Sequence, residues 1–541
     1  MRFRSCIKTH AALVALAVSS LGQALPASDW VDAGNHRWRV LEVAPGGSTG
    51  FTRLDPSASG IRFSNRLDVE KSLQNQVYLN GSGVALGDVD GDGRCDIYLC
   101  GLDNPNHLYL NRGDWKFEEA AGQYGIDCTG KDSTGAALAD LDGDGDPDLI
   151  VNTIHSGTLL FRNDGNGFTA VRDEATGLAS ARGGMSLALA DFDADGRLDI
   201  YVAHYRDTTL MDMPNTHFNF RTVGGRREIS TVDGVPVEGS RFENRFRLNE
   251  RGGIEENGLP DVLYRNLGQF RFEQNIVGGR QFMTAKGTPI PGALLEWGLS
   301  VMFRDINRDG KPDIYVCNDF DGHDRLWLNA GAGRFREAPV LALRKTSMFS
   351  MGVDFADINR DGLDDFIVVD MLNMSHQTRK NQMVPRLQYS PVPGRYNDRP
   401  QRMHNTLFFN RGYGVFSEIA HFAGLAASDW SWGSVFIDVD LDGLEDLLVT
   451  NGVERNARHL DTILHLRKQR EGRELPKREI LLARRVFPAQ ATANAAFRNQ
   501  GDLRFTETAA EWGFGDEEIS HGLACGDLDG DGDLAFFSGK R

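Results

Sequence analysis

One nine-residue acidic loop, repeated seven times, constrains this chain more than any other feature. The copies run Asp88–Asp96, Asp140–Asp148, Asp191–Asp199, Asp305–Asp313, Asp357–Asp365, Asp438–Asp446 and Asp527–Ala535. Side chains ending in oxygen recur at positions 1, 3, 5 and 9, with Gly at position 6. Hard cations such as Ca²⁺ collect oxygen ligands, and a glycine permits the sharp turn that folds them around the ion. With position 7 included, the metal-holding sets are as follows. Loop 1 offers Asp88, Asp90, Asp92, Arg94 and Asp96, and loop 2 offers Asp140, Asp142, Asp144, Asp146 and Asp148. Loop 3 has Asp191, Asp193, Asp195, Arg197 and Asp199; loop 4 has Asp305, Asn307, Asp309, Lys311 and Asp313. Loop 5 has Asp357, Asn359, Asp361, Leu363 and Asp365; loop 6 has Asp438, Asp440, Asp442, Leu444 and Asp446. Loop 7 keeps Asp527, Asp529, Asp531 and Asp533, but Ala535 replaces its ninth-position acid, so a weak or empty site is expected there. Up to seven Ca²⁺ ions follow.

An apolar run leads into each loop, for example Val84–Gly87 or Val435–Ile437, and a β-branched or aromatic run follows, such as Ile97-Tyr-Leu or Ile314-Tyr-Val. These are strands by length and composition. An EF-hand is excluded, because it needs flanking helices and a Glu at position 12, where this chain has Leu99 or Val151. A third run ending in Asn (Asn111, Asn163, Asn266, Asn329, Asn410, Asn499) and a fourth starting at Phe complete each repeat. Four antiparallel strands per repeat predict an all-β, seven-bladed β-propeller over residues 36–541, with the metal loops between strands one and two. The last repeat has only two strands. Trp38–Val43 and Gly50–Leu54 are expected to supply the other two; the alternative is a truncated chain.

Residues 1–27 read as a secretory signal, with Arg2, Arg4 and Lys8 before the apolar stretch Ala11–Leu21 and small residues at Ala24 and Ala27. No other stretch is apolar enough to span a bilayer. The expectation is an exported protein, whether periplasmic, cell-surface or secreted. The five cysteines after the signal (Cys95, Cys100, Cys128, Cys317, Cys525) lack metal-type spacing. They read as buried thiols, with a Cys95–Cys128 disulfide as the alternative. Seven divalent ions would neutralise most of the net charge of −17, so the acidity belongs to the loops.

Three partly helical inserts, 206–260, 372–404 and 453–494, fall between strands two and three and so belong at the end of the sheets opposite the metals. The second and third are basic, with six Lys/Arg against one acid and ten against five. Helical spacing marks 456–471, a second helix is expected near Leu481, and Val232–Val237 reads as a hairpin. A basic face on an acidic exported chain suggests an extracellular anionic partner, glycan or protein; merely solvated arms are the alternative. Nucleic acid is disfavoured, since the basic runs lack interleaved aromatics. Candidate ligand-binding residues at this end are Trp297, Trp430, Trp432, His155, His204, Asp319, His323, Arg379 and Lys380. No metalloprotease, serine-hydrolase or phosphate-loop motif is present, so no catalytic residue is assigned.

The loops and strands resemble the FG-GAP/VCBS repeats of integrin-α-like propellers. The segment Phe51 to Gly93, with Ser59-Gly-Ile-Arg-Phe63 and Gly81-Ser-Gly-Val-Ala-Leu-Gly87, is more narrowly similar to the cartilage-acidic-protein (ASPIC/UnbV-associated) group. That resemblance implies Ca²⁺-binding secreted or cell-surface proteins of adhesion or matrix binding. Members commonly continue into a C-terminal ASPIC/UnbV domain, which this sequence lacks. The expected function is a non-enzymatic, Ca²⁺-stabilised binding or adhesion propeller. The alternative is a Ca²⁺-dependent lyase of acidic polysaccharide, since some lyases resemble this fold.

Overall fold

The computed structural model describes residues 31–32, 34, 37–38, 49–171, 176–178, 183–249, 252–320, 322–382, 399–530 and 534–540. The signal-like segment 1–27 lies outside them. Hairpin strands flank all seven loops. In the first repeat Val84–Gly87 pairs antiparallel with Asp96–Leu99, then His107–Asn111, then Phe117–Glu119. The second strand of each four-stranded sheet is buried along its whole length, as in Asp148–Thr153 and Asp199–His204. Continuous apolar runs suit that position, because side chains on both faces leave water.

The expected seven-bladed propeller of four-stranded blades is corrected by the strand pairing. Among the described residues the hydrogen-bonded ladders form separate open sheets, and no sheet curls or closes on itself. Nor are they uniform. The repeats begun by loops 1, 2, 3, 5 and 6 have four strands each, that of loop 4 has six, and that of loop 7 has two. The extra pair is the hairpin Gly278–Met283 and Pro289–Ala293, which joins the fourth sheet in parallel through Phe282 opposite Phe335. The expected completion of the last sheet by the N-terminal stretch is corrected for Gly50–Leu54, while most of Trp38–Val43 lies outside the described residues. Arg37–Trp38 pairs with Val31–Asp32, and Gly50–Leu54 forms no strand. Residues 39–48 lie outside the described set. Phe51 does meet the C-terminal part, donating its N–H to Trp512 O (2.7 Å) and packing on Phe514 and Phe536.

Side-chain packing, not strand pairing, joins the sheets. Tyr98 and Leu108 of the first share a buried cluster with Leu149 and Val151 of the second. Ile97 and Leu99 cluster with Leu528 and Phe537 of the last repeat. Glycines let first strands approach closely: a Cβ on Gly135 would meet Met185 O at 2.8 Å, and one on Gly522 would meet Ser82 O at 2.9 Å. All seven first strands line one cavity of about 280 Å³.

Each insert leaves from strand two and returns on strand three, at the end of the sheets away from the loops. The hairpin turns at Asp233-Gly234, both with positive φ, so Val232 pairs with Val235. Helices form at Leu460–Arg470 and Lys477–Leu482, and at His376–Asn381 in the second insert. The first has Asp461 in its opening turn and Arg467, Lys468 and Arg470 in its last, matching the helix dipole. The three inserts touch: Asn215 donates to Leu475 O (3.2 Å), and Gln490 to Asn373 Oδ1 (3.1 Å).

Candidate functional site

Each acidic loop is first a backbone device. In loop 1 the Asp88 carboxylate accepts from Asp92 N (3.1 Å) and Gly93 N (2.8 Å), curling positions 5 and 6 back over position 1. Asp96, fully buried, accepts from Val89 N (2.9 Å) and from Asn111 N of strand three (2.7 Å). The same two bonds recur at Asp148, Asp199, Asp313 and Asp446. Burial pushes these ninth-position carboxyls up, to about 6 in Asp96 and Asp446 and about 7 in Asp148, Asp199 and Asp313. The backbone donors oppose that rise and neighbouring acids add to it.

Carboxylates of positions 1, 3 and 9 then converge. In loops 1, 2, 3 and 6 one oxygen from each lies within 4.8 Å of the others. Oxygens about 2.4 Å from a shared Ca²⁺ can be this far apart. Position 3 supplies the clearest test of fit. Asp90, Asp193 and Asp440 each give Oδ2 to an arginine of strand three or just after it: Arg112 (3.0 Å), Arg265 (2.5 Å) and Arg498. Their Oδ1 atoms are buried with no hydrogen-bond partner. A buried carboxylate oxygen without a donor is costly, and a cation removes the cost. The residues present therefore fit a divalent ion. Loops 4 and 5 carry Asn307 and Asn359 at position 3, one charge fewer. Asp531 and Asp533 of loop 7 lie outside the described residues. At position 7, Arg94 and Arg197 turn their guanidinium groups to Asp92 and Asp195, and Lys311 reaches Asp309 (3.1 Å).

The strand-three asparagines have a role that the motif alone does not reveal. Asn163 Nδ2 donates to Val89 O of loop 1 (2.9 Å), Asn266 to Leu141 O of loop 2 (2.9 Å) and Asn329 to Phe192 O of loop 3 (2.8 Å). Asn499 reaches Ile358 O of loop 5 (2.9 Å), and Asn111 reaches Leu528 O of loop 7 (2.7 Å). One side chain thus ties each of these loops to its neighbour. The recurrence of Asn at one repeat position was the available signal.

At the opposite end, a cavity of about 1120 Å³ opens between the strand ends and the inserts. Of the nine candidates there, Trp297, Trp430, Trp432, Asp319 and His323 line it. His155 instead stacks beside Tyr78, at 6.1 Å between centroids. His204 is buried in its own sheet, where burial pushes it down to about 4. Arg379 donates to Asn373 O (2.9 Å), and it and Lys380 are exposed on the short helix, off the cavity wall. Arg458 was missed. Its guanidinium carbon lies 3.3 Å from the Phe349 ring centre and 5.5 Å from that of Trp430. The five described cysteines are free thiols; burial pushes Cys128 and Cys525 up to about 11.

Residues 88–151, 140–202 and 305–368 match the FG-GAP-like repeat family. The chain is 29% identical to cartilage acidic protein 1 of Homo sapiens over 412 residues, covering 68% of this chain and 56% of that protein. It is 24% identical to the Mus musculus protein, covering 68% and 57%. It therefore spans just over half the length of these curated relatives. A solved Agrocybe aegerita lectin structure, concerned with non-reducing terminal N-acetylglucosamine, aligns at 14% identity over 84% of both chains, with a TM-score of 0.40. The V. cholerae biofilm matrix protein Bap1 aligns at 10% identity over 70% of this chain and 67% of that one, with a TM-score of 0.29. Likenesses this distant carry no argument about function. Among the described residues no helix is long and apolar enough to cross a membrane.

Proposed function

We propose that this chain is an exported binding or adhesion protein. Calcium in its acidic loops holds the sheets in register, and its insert-bearing end recognises an anionic extracellular glycan or protein. The observation that carries the metal half is the orphaned Oδ1 of Asp90, Asp193 and Asp440, each on a residue whose carboxylate converges with two others. We assign up to seven ions, one per loop, with the loop ending at Ala535 the weakest. Positions 1, 3, 5 and 9 act through side chains, and position 7 completes each set. The basic inserts and the similarity to cartilage acidic protein 1 support the binding half. The candidate ligand residues Trp297, Trp430, Trp432, Asp319 and His323 belong to this end, with Arg379 and Lys380 on its exposed rim.

Retention of the calcium-loaded chain on immobilised polyuronate and sulfated glycan, scored against neutral glycan, tests the reading. Retention is expected to weaken with salt, as for any exposed charge contact, and to fall in a variant with Arg467→Glu, Lys468→Glu and Arg470→Glu. Equal retention on neutral glycan, or no effect of the triple change, would remove the anionic partner. Release of unsaturated product in the same assay would instead favour a lyase.

A further inference from the structure

We propose that the insert-side cavity binds the carboxylate of an acidic saccharide, with the Arg458 guanidinium as its recognition group. This rests on the reading of the insert-bearing end as an anion-binding surface and adds to it a defined pocket and ligand class. Arg458 is only 8% exposed. Among the described residues its guanidinium has one hydrogen bond, to Met403 Sδ (3.3 Å), and no carboxylate within ion-pair distance. Burying a cation without a counter-ion is expensive unless something else supplies the charge.

The acids of the same cavity are already engaged. Glu256 pairs with Arg245 (2.8 Å), Glu255 with Arg247 (2.9 Å) and Glu337 with Arg325 (2.8 Å). Asp319 accepts the Tyr205 hydroxyl (3.0 Å). Nearby Asp370 is occupied by the Ser347 hydroxyl and by backbone N–H groups of Met348, Phe349 and Met371. Asp319 and Asp370 act on Arg458 through space without pairing to it. Beside the guanidinium, Trp430 Nε1 is buried with no acceptor. A planar guanidinium fork on the cavity wall with no carboxylate partner matches a carboxylate on a ligand. Trp297 and Trp430, both nearly buried, line the wall of the same cavity. Pockets for small ligands run to about 300–1,000 Å³, so this cavity has room for a short oligosaccharide.

Calorimetry with the calcium-loaded full chain tests this, using trigalacturonate as probe and a neutral galactose trisaccharide as control. The acidic probe is expected to bind at least tenfold more tightly than the neutral one. Arg458→Met is expected to weaken it at least tenfold with little change in the ligand-free melting temperature, because no direct ion pair is broken and only the through-space influence on Asp319 and Asp370 is lost. Arg458→Lys, which keeps the charge but loses the fork, should lose most of the affinity, and Trp430→Phe a smaller part. No trigalacturonate binding, equal binding of the neutral probe, or unchanged affinity in Arg458→Met would overturn the proposal. So would a lowered melting temperature with affinity intact, which would make Arg458 a packing anchor. Polyuronate retention separates the two readings. Retention unchanged in Arg458→Met but lost in a Lys468→Glu and Arg470→Glu reversal, which spares the cavity-lining Arg467, sinks the cavity and keeps the surface. Trisaccharide binding without polymer retention does the reverse.

Discussion

The two ends of the sheets solve opposite electrostatic problems. At the loop end, like charges are gathered: three carboxylates per cluster, with ninth-position acids pushed up by burial. Among the described residues of the insert end, charges of both signs are buried and most are paired, whereas the Arg458 guanidinium feels Asp319 and Asp370 only through space. The loop end repeats its solution along the chain: among the described residues the paired backbone donors recur in five loops, the asparagine tie in five and the orphaned position-3 oxygen in three. The insert end does everything once. Repetition suits a structural task that every sheet shares, and a single departure suits recognition. The difference teaches where to look for stability and where to look for a ligand.

Substitutions can break or sharpen that contrast. Asp148→Ala should act most strongly, since it strips the acceptor from two buried N–H groups, Leu141 and Asn163. At about 1–3 kcal/mol for each orphaned group, a loss of about 2–6 kcal/mol is expected in denaturant unfolding. A loss no larger than that of a surface change would mean the loop is not structural. Asn163→Ala removes bonds to Val89 O and Pro147 O and should cost about 1–3 kcal/mol. Hydrogen exchange should quicken in loop 1 as well as loop 2; quickening confined to loop 2 would show that the tie carries nothing.

A smaller effect is expected from His204. Its unfolded form protonates near 6.5, whereas burial holds the folded form neutral down to about 4. The folded state thus binds fewer protons between those values, and its stability falls as pH drops through that window. His204→Met should make the fall shallower, read from melts across pH 4 to 6.5; an unchanged slope would place the acid sensitivity elsewhere. The smallest effect on stability belongs to the exposed helix. The Arg467, Lys468 and Arg470 reversal should lower the melting temperature only slightly, through the lost match to the helix dipole and the Arg470 bond to Ile480 O, while altering retention on acidic glycan. A large drop in melting would show that these cations hold the insert down.

Much of the loop end was legible in the sequence. Charge and glycine spacing marked all seven loops, because each ligand position is fixed by local turn geometry. Asp233-Gly234 and the Leu460–Arg470 helix were legible for the same local reason. What was not legible depends on distant partners. The Phe282–Phe335 pairing that widens the fourth sheet has no local mark. The expected propeller failed on how the sheets relate to one another, since an acidic loop sets a hairpin but not the number of strands beside it or whether a ladder closes. Trp38 pairs backward to Val31, where motif likeness had placed it in the last repeat. Arg458 lay unmarked among ten basic residues of its insert; only its burial against Phe349 sets it apart.

Calcium titration by calorimetry, followed by melting with and without EDTA, bears most directly on the central claim. Several equivalents of Ca²⁺ should bind, the four three-aspartate loops among them, and the melting temperature should fall steeply in chelator because an ion bound only by the folded state stabilises it. No bound calcium, together with one melting temperature in both buffers, would contradict it.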